Sequence, residues 1–239
     1  FEKVTFVIVD GTLTISKKPV TFTGESGSKL YNGKLQTLTG VTAEGLLDGH
    51  THNVEAKAEG TNVGSYPGTI TAAKDVQIMA GEQDVTKNYE ITTTPGTLTI
   101  TQATKEVIVT ITEHSGSTTY DGTEHTVTGY DVSISNPLYK ETDFTFSGKA
   151  EVKGTDAGSY GMELKAKDFT NTNTNFANVT FVIEDGTLTI SKRQVTLTSA
   201  SDSKAYDGTA LTNQKVTVGG DGFAEGEGAS YDVTGSQTY

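Results

Sequence analysis

The residues best suited to chemistry in this chain are its four histidines, His50, His52, His114 and His125, because imidazole binds metals and exchanges protons near neutral pH. His50 and His52 flank Thr51, which on a strand places both rings on one face and would suit a weak metal contact. No third ligand lies nearby in sequence, so the pair reads as solvated loop residues and no metal ligand is assigned. Cysteine is absent, which removes disulfides and thiolate sites. No Ser/His/Asp or Cys/His arrangement stands out, and the histidines do not recur along the chain, so no catalytic residue and no enzyme is expected. Asp207-Gly208, Asp221-Gly222 and the Glu225–Glu227 stretch offer oxygen donors for calcium, yet they lack the spacing of a calcium loop and read as solvated turns. Gly219-Gly220-Asp221-Gly222 is no phosphate loop, since no Lys-Ser/Thr follows it. No cofactor is implied.

Two other chemistries have candidates. A lysine and an asparagine can condense into an amide crosslink with loss of ammonia, provided burial keeps the amine and a neighbouring carboxyl neutral. Lys18 (or Lys17) with Asn88, and Lys105 with Asn178, are the candidate pairs, although Lys105 does not align with Lys18. Sugar binding would need an exposed aromatic platform. Tryptophan is absent, and Tyr31, Tyr120 and Tyr206 recur at one place in successive segments, as Tyr66 and Tyr160 do at another, which favours a core or turn role. Tyr130, Tyr139 and Phe144 stand outside that pattern, in a segment longer than its counterpart, and are the candidate ligand residues.

What must position these residues is a repeat. Gly-Thr-Leu-Thr-Ile begins at residues 11, 96 and 186, which are 85 and 90 residues apart. Tyr-Asn-Gly or Tyr-Asp-Gly begins at residues 31, 120 and 206, spaced 89 and 86. Two markers in register predict a tandem array. The reading is a complete module over 17–101, a second over 102–191 and a truncated third over 192–239. Residues 1–16 repeat the end of a module and are read as the closing hairpin of a preceding one. The parent protein is then expected to be longer at both ends.

Within each module the apolar residues alternate, as in Val4, Phe6 and Ile8 or Val195 and Leu197, with threonines between them. That is the pattern of half-buried strands. Six or seven short strands per module are expected, and the best helical candidate, 71–79, has no apolar stripe. Asp10-Gly11, Pro95-Gly96 and Asp185-Gly186 separate two alternating runs and predict a closing hairpin. Asn62-Val63-Gly64-Ser65-Tyr66 and Asp156-Ala157-Gly158-Ser159-Tyr160 predict a tyrosine corner, in which the hydroxyl bonds back to nearby backbone. The fold class is therefore all-β, with tandem immunoglobulin-like β-sandwich modules in an elongated array.

The net charge of −12 works against nucleic acid and anionic membranes, which reward clustered lysine and arginine. No apolar run is long enough to insert in a membrane.

The order Lys192-Arg193-Gln194-Val195-Thr196, then Tyr-Asp-Gly, then Val63-Gly64-Ser65-Tyr66, then Asn88-Tyr89-Glu90-Ile91-Thr92 before Gly-Thr-Leu-Thr-Ile resembles the MBG and YDG-type repeats of large bacterial surface proteins. The second module departs in two places, with Ser117-Thr118-Thr119-Tyr120 for Ser-Lys-x-Tyr and Asn178-Val179 for Asn-Tyr. The resemblance implies an extracellular, cell-wall-associated protein of the adhesin class. The expected function is a structural stalk or spacer that projects other domains from the cell, and the alternative is an adhesive module for host or mucin glycans. Expected partners are neighbouring repeats and, in the alternative, a glycan or host surface protein. The 1–16 segment of one chain is also expected to pack head to tail on 192–239 of another.

Overall fold

Alternating threonine and branched residues build strands throughout the protein, and a computed structural model describes residues 2–238. Phe1 and Tyr239, which belong to the expected closing hairpin and the expected third module, lie outside the described residues. The chain divides into two compact units. The first runs to Glu106 and takes in Thr174–Asn178, and the second holds Val107–Asn173 and the residues from Val179 onward.

The first unit contains β1 (Lys18–Gly24), β2 (Gly27–Leu30), β3 (Gln36–Thr39), β4 (Val41–Glu44), β5 (His50–His52), β6 (Ala56–Gly60), β7 (Gly64–Pro67), β8 (Thr69–Ile70), β9 (Ile78–Ala80), β10 (Gln83–Asp84), β11 (Tyr89–Thr94) and β12 (Thr97–Thr101). They form four small sheets, ordered β11-β1-β4, β2-β12-β7, β3-β6-β8 and β10-β9-β5. Strands outnumber the six or seven expected because the alternating runs break where the chain leaves one sheet for another, as between β1 and β2 or β3 and β4. The 71–79 stretch holds a single 3-10 turn, Ala73–Asp75.

The second unit begins with β13 (Val107–Glu113), β14 (Gly116–Thr119), β15 (His125–Thr128), β16 (Tyr130–Ile134), β17 (Phe144–Phe146) and β18 (Glu151–Gly154). It continues with β19 (Gly158–Gly161), β20 (Phe169–Asn171), β21 (Val179–Glu184), β22 (Thr187–Ser191), β23 (Val195–Ser199) and β24 (Val216–Gly220). Its sheets β16-β13-β21 and β14-β22-β19 reproduce the pairing of β4-β1-β11 and β2-β12-β7. β23 and β24 form a two-stranded antiparallel sheet, and every side chain of β23 is exposed.

The closing hairpin is overturned in both units. β11 lies parallel to β1, from Lys18 opposite Tyr89 to Thr23 opposite Thr94, whereas β12 lies parallel to β2 in a different sheet. β21 and β22 diverge in the same way onto β13 and β14. The reason lies at the glycine. A Cβ on Gly96 would sit 1.8 Å from the Glu25 carbonyl oxygen, and one on Gly186 would sit 2.3 Å from that of His114. Here the last run crosses the bend between the first two strands, and neither glycine has a positive φ. Glycine is used for close approach rather than for turn geometry. The crossing is tied by Thr97 N–H donating to Ser26 Oγ at 3.0 Å and Thr187 N–H donating to Ser115 Oγ at 3.1 Å.

Residues 2–16, with the same sequence pattern, form no strand, and Phe6, Ile8, Leu13 and Ile15 are exposed. The equivalent runs in the two units are held by parallel pairing with β1 and β2 or β13 and β14, and residues 2–16 pair with neither kind of strand. A two-stranded hairpin without further support is marginal in water.

The core of the first unit has two clusters. Val20, Phe22, Val54, Val76, Ile78, Val85 and Tyr89 form one, and Ala58, Leu98 and Ile100 form the other. In the second unit Val107, Val109 and Ile111 of β13 are fully buried, as alternation on a central strand requires.

Candidate functional site

The longer segment of the second module is used to build an aromatic core. Tyr130, Phe144, Phe146, Phe169 and Phe181 meet edge-on or stacked, with ring centroids 4.8 to 6.0 Å apart. Such pairs add about 0.5–1.5 kcal/mol each beyond the area they bury. Tyr139 is 1% exposed, and its hydroxyl lies 3.0 Å from the Asp143 carbonyl and 2.9 Å from Asn171 Oδ1, either of which can accept its one proton. Burial first, and the Asp143 charge second, push that hydroxyl up to about 12. The three candidate ligand residues are thus brought close together, but Tyr139 is buried and Tyr130 and Phe144 are half-buried with their rings against other rings. In this arrangement none of them is an open stacking platform.

His50 and His52 do share a face, as β5 dictates, and that face points inward. His50 Nδ1 lies 2.7 Å from the Tyr89 hydroxyl, and the His52 ring packs on Phe22 at 4.8 Å. Half-burial replaces the solvated loop pair that was expected. Among the described residues no three or more His, Cys, Asp or Glu side chains group as metal ligands. The crosslink candidates Lys18, Asn88, Lys105 and Asn178 are all exposed. Lys18 sits beside Tyr89 in the β1–β11 pairing, and Asn178 Nδ2 donates to the Thr104 carbonyl at 3.2 Å. The burial that would neutralise an amine and an acid is missing at all four.

The residues that recur are engaged with backbone. The Tyr66 hydroxyl donates to the Asn62 carbonyl at 2.8 Å, and the Tyr160 hydroxyl donates to the Asp156 carbonyl at 2.9 Å, which is the tyrosine-corner bond. Each ring lies across a glycine: a Cβ on Gly60 or Gly154 would come within 2.3 or 2.5 Å of it. In the Tyr-Asp-Gly turn, the Asp121 carboxylate accepts from the Thr123 N–H at 2.9 Å, from the Thr123 hydroxyl at 2.8 Å and from His125 Nε2 at 2.9 Å. These bonds favour the ionised form and hold its pKa down to about 2.

Two features escaped the sequence. Glu113 is 3% exposed, and its carboxylate accepts from the Leu164 N–H at 2.6 Å and the Gly186 N–H at 2.8 Å. A lone glutamate at a strand end carries no signal of burial. The second feature, the serine tie of the crossing, did have one, since Ser26-Gly27-Ser28 recurs as Ser115-Gly116-Ser117.

The first unit carries a groove of about 780 Å³. His52, Glu55 and Lys57 and the hydroxyls of Thr39, Thr69 and Thr71 line it, around an apolar floor that includes Val54 and Ile70. A Lys57–Glu59 ion pair at 2.8 Å flanks it on the exposed side. Such a groove offers donors, acceptors and one cation.

Residues 107–192 match the family model of the MBG domain, which is consistent with an MBG-type repeat module over that stretch. No curated protein matches the chain. No solved structure matches it either.

Proposed function

We propose that the chain is a run of structural spacer repeats from a large bacterial surface protein, outside the cell and attached to its wall, that projects other domains. In this reading the modules are immunoglobulin-like β-sandwiches over 17–101 and 102–191 with a third from 192, arranged as an elongated array. The observation that carries it is the use of the recurring residues. Tyr66 and Tyr160, Gly96 and Gly186, and Ser26 and Ser115 all hold backbone to backbone; the exposed Lys74 and Lys167 of two Ala-Lys-Asp turns recur as well, but the candidate ligand residues Tyr130, Tyr139 and Phe144 do not. A selected scaffold repeats its supports, and a selected binding array would repeat its contacts. Among the described residues no three or more His, Cys, Asp or Glu side chains group as metal ligands, and we infer a protein that is not an enzyme.

The groove beside His52, Glu55 and Lys57 favours a second reading, an adhesive module for host or mucin glycans. Both readings meet in one experiment on the whole chain. Solution scattering is expected to give an elongated particle, and a mucin and glycan panel is expected to give no saturable binding at millimolar ligand. Saturable binding that is lost on Lys57→Ala would replace the spacer with the adhesin. A compact or freely jointed particle would remove the spacer in its rod-like form.

A further inference from the structure

The Tyr-(Asn/Asp)-Gly turn lies at the edge of its own module, where Tyr31 packs against the Ala58, Leu98 and Ile100 cluster, and it also meets the next stretch of the chain. The Tyr120 N–H donates to the Ser191 carbonyl at 2.9 Å, which fixes the tyrosine at the end of the last strand, and Tyr31 is fixed by its own N–H to the Thr101 carbonyl at 2.8 Å. Beyond Ser191 the chain turns into β23, and the loop after β24 comes back over Tyr120. The Tyr120 hydroxyl donates to Glu227. Arg193 reaches three carbonyl oxygens: that of Tyr120 at 3.1 Å, that of Gly222 at 2.9 Å and that of Asp221. Gln194 and Asp221 close the contact, with the Gln194 N–H on Asp221 Oδ2 at 2.8 Å and the Asp221 N–H on the Gln194 carbonyl at 2.7 Å. Ala224 is buried, and a small cavity of about 280 Å³ lies between Tyr120, Asp156, Ala157, Arg193, Phe223 and Glu227.

Within the first unit the same three parts recur with different side chains. Tyr31 meets the Phe176 ring edge-on at 5.5 Å, and Phe176 is 2% exposed. The corner loop takes part through the Val63 N–H on Asn175 Oδ1 at 2.8 Å, and the connector takes part through Gln102 Nε2 on the Thr174 carbonyl at 2.9 Å. Ala103 bridges Phe176 in parallel.

We propose that the Tyr-(Asn/Asp)-Gly turn, the loop before the corner tyrosine and the connector after the last strand form a docking socket, and that its occupant is a loop of the succeeding repeat. The socket takes a small or aromatic apolar side chain against the tyrosine, with backbone groups of the loop bonded around it. The inference rests on the repeat reading of the chain and is indifferent to whether the array is a spacer or an adhesin. It assigns the most regular motif of the sequence to coupling between neighbours.

Hydrogen exchange on the full chain tests this independently of the scattering and glycan measurements that separate spacer from adhesin. In Arg193→Ala and Glu227→Gln, amides of residues 216–227 are expected to exchange about tenfold faster, because charge-assisted bonds that hold the loop are gone, while β13 and β21 keep their protection. Tyr120→Phe, which keeps the ring and loses the hydroxyl, is expected to fall between the wild type and Tyr120→Ala. Unchanged exchange of 216–227 in Arg193→Ala and Tyr120→Ala overturns the socket. Equal loss across β13, β14 and β22 in Arg193→Ala overturns it too, since the residue would then support its own module. If Tyr120→Ala unfolds the second unit outright, Arg193→Ala decides alone, because its guanidinium touches carbonyl oxygens only.

Discussion

Glu113 shows how one side chain can hold a fold together without advertising itself. Its carboxylate is buried at the crossing and satisfies two backbone N–H groups that nothing else in the neighbourhood reaches. Glu113→Ala is expected to cost about 3 kcal/mol, since leaving a buried donor unpaired costs roughly 1–3 kcal/mol. Urea unfolding of the second unit measures it, and a loss below about 0.5 kcal/mol would mean that water replaces the carboxylate. Asp121 makes a pH prediction. Its folded pKa of about 2 lies below the ordinary 3.8. A depressed carboxyl contributes stability above the unfolded value, and that contribution disappears as pH falls from near 3.8 toward 2. The carboxyl carbon shift of Asp121 should therefore stay that of an ionised group at about pH 3, and an inflection near the ordinary value would show that the Thr123 bonds do not persist in solution. His114 has the opposite sign. The Thr128 carbonyl, and then Asp131, raise its pKa, so its contribution is present at acid pH and is lost as pH rises through the raised value. Exposure to water keeps that contribution small.

Among elements, the crossing of the last run over the first bend separates this fold from a meander of hairpins. The Gly-Thr-Leu-Thr-Ile motif is identical at its three occurrences, and the surroundings of its glycine are not. A Cβ meets backbone at 1.8 Å on Gly96 and 2.3 Å on Gly186, and meets nothing within 4 Å on Gly11. Gly96→Ala and Gly186→Ala are each expected to destabilise their unit by about 3 kcal/mol, the upper end of what overpacking costs. Gly11→Ala should change stability by less than about 0.5 kcal/mol, as surface substitutions do. Thermal melts of the three variants decide this, and three equal effects would mean that the motif works through a turn preference rather than through the crossing. The parallel pairing of β1 with β11 and β2 with β12 also explains why each unit closes only when its last run arrives. Such non-local pairing is slow to form.

At the scale of the molecule, two units carry two sets of buried side chains. Phe22 is fully buried in the first unit, and Phe22→Ala is expected to cost about 3–5 kcal/mol there. Exchange should rise across β1, β4 and β11 and leave β13 and β21 protected, whereas a rise through both units would mean that they unfold as one. The sequence by itself determined the recurring motifs, the all-β class and the MBG match over residues 107–192, because alternation with period two and recurrence near 85–90 residues are properties of the chain that no packing can alter. It also determined the tyrosine corner, whose bond spans only four residues. Tertiary structure decided the rest. Alternation says that a run is a strand but not which strand it pairs with, so β11 and β12 read as a hairpin and became members of different sheets. Residues 2–16 show this most directly. Their pattern is that of β21 and β22, and without parallel partners they make no strand. Tyr130, Tyr139 and Phe144 looked available for a ligand because they break the repeat, and the fold turned them inward because a longer segment needs its own apolar filling.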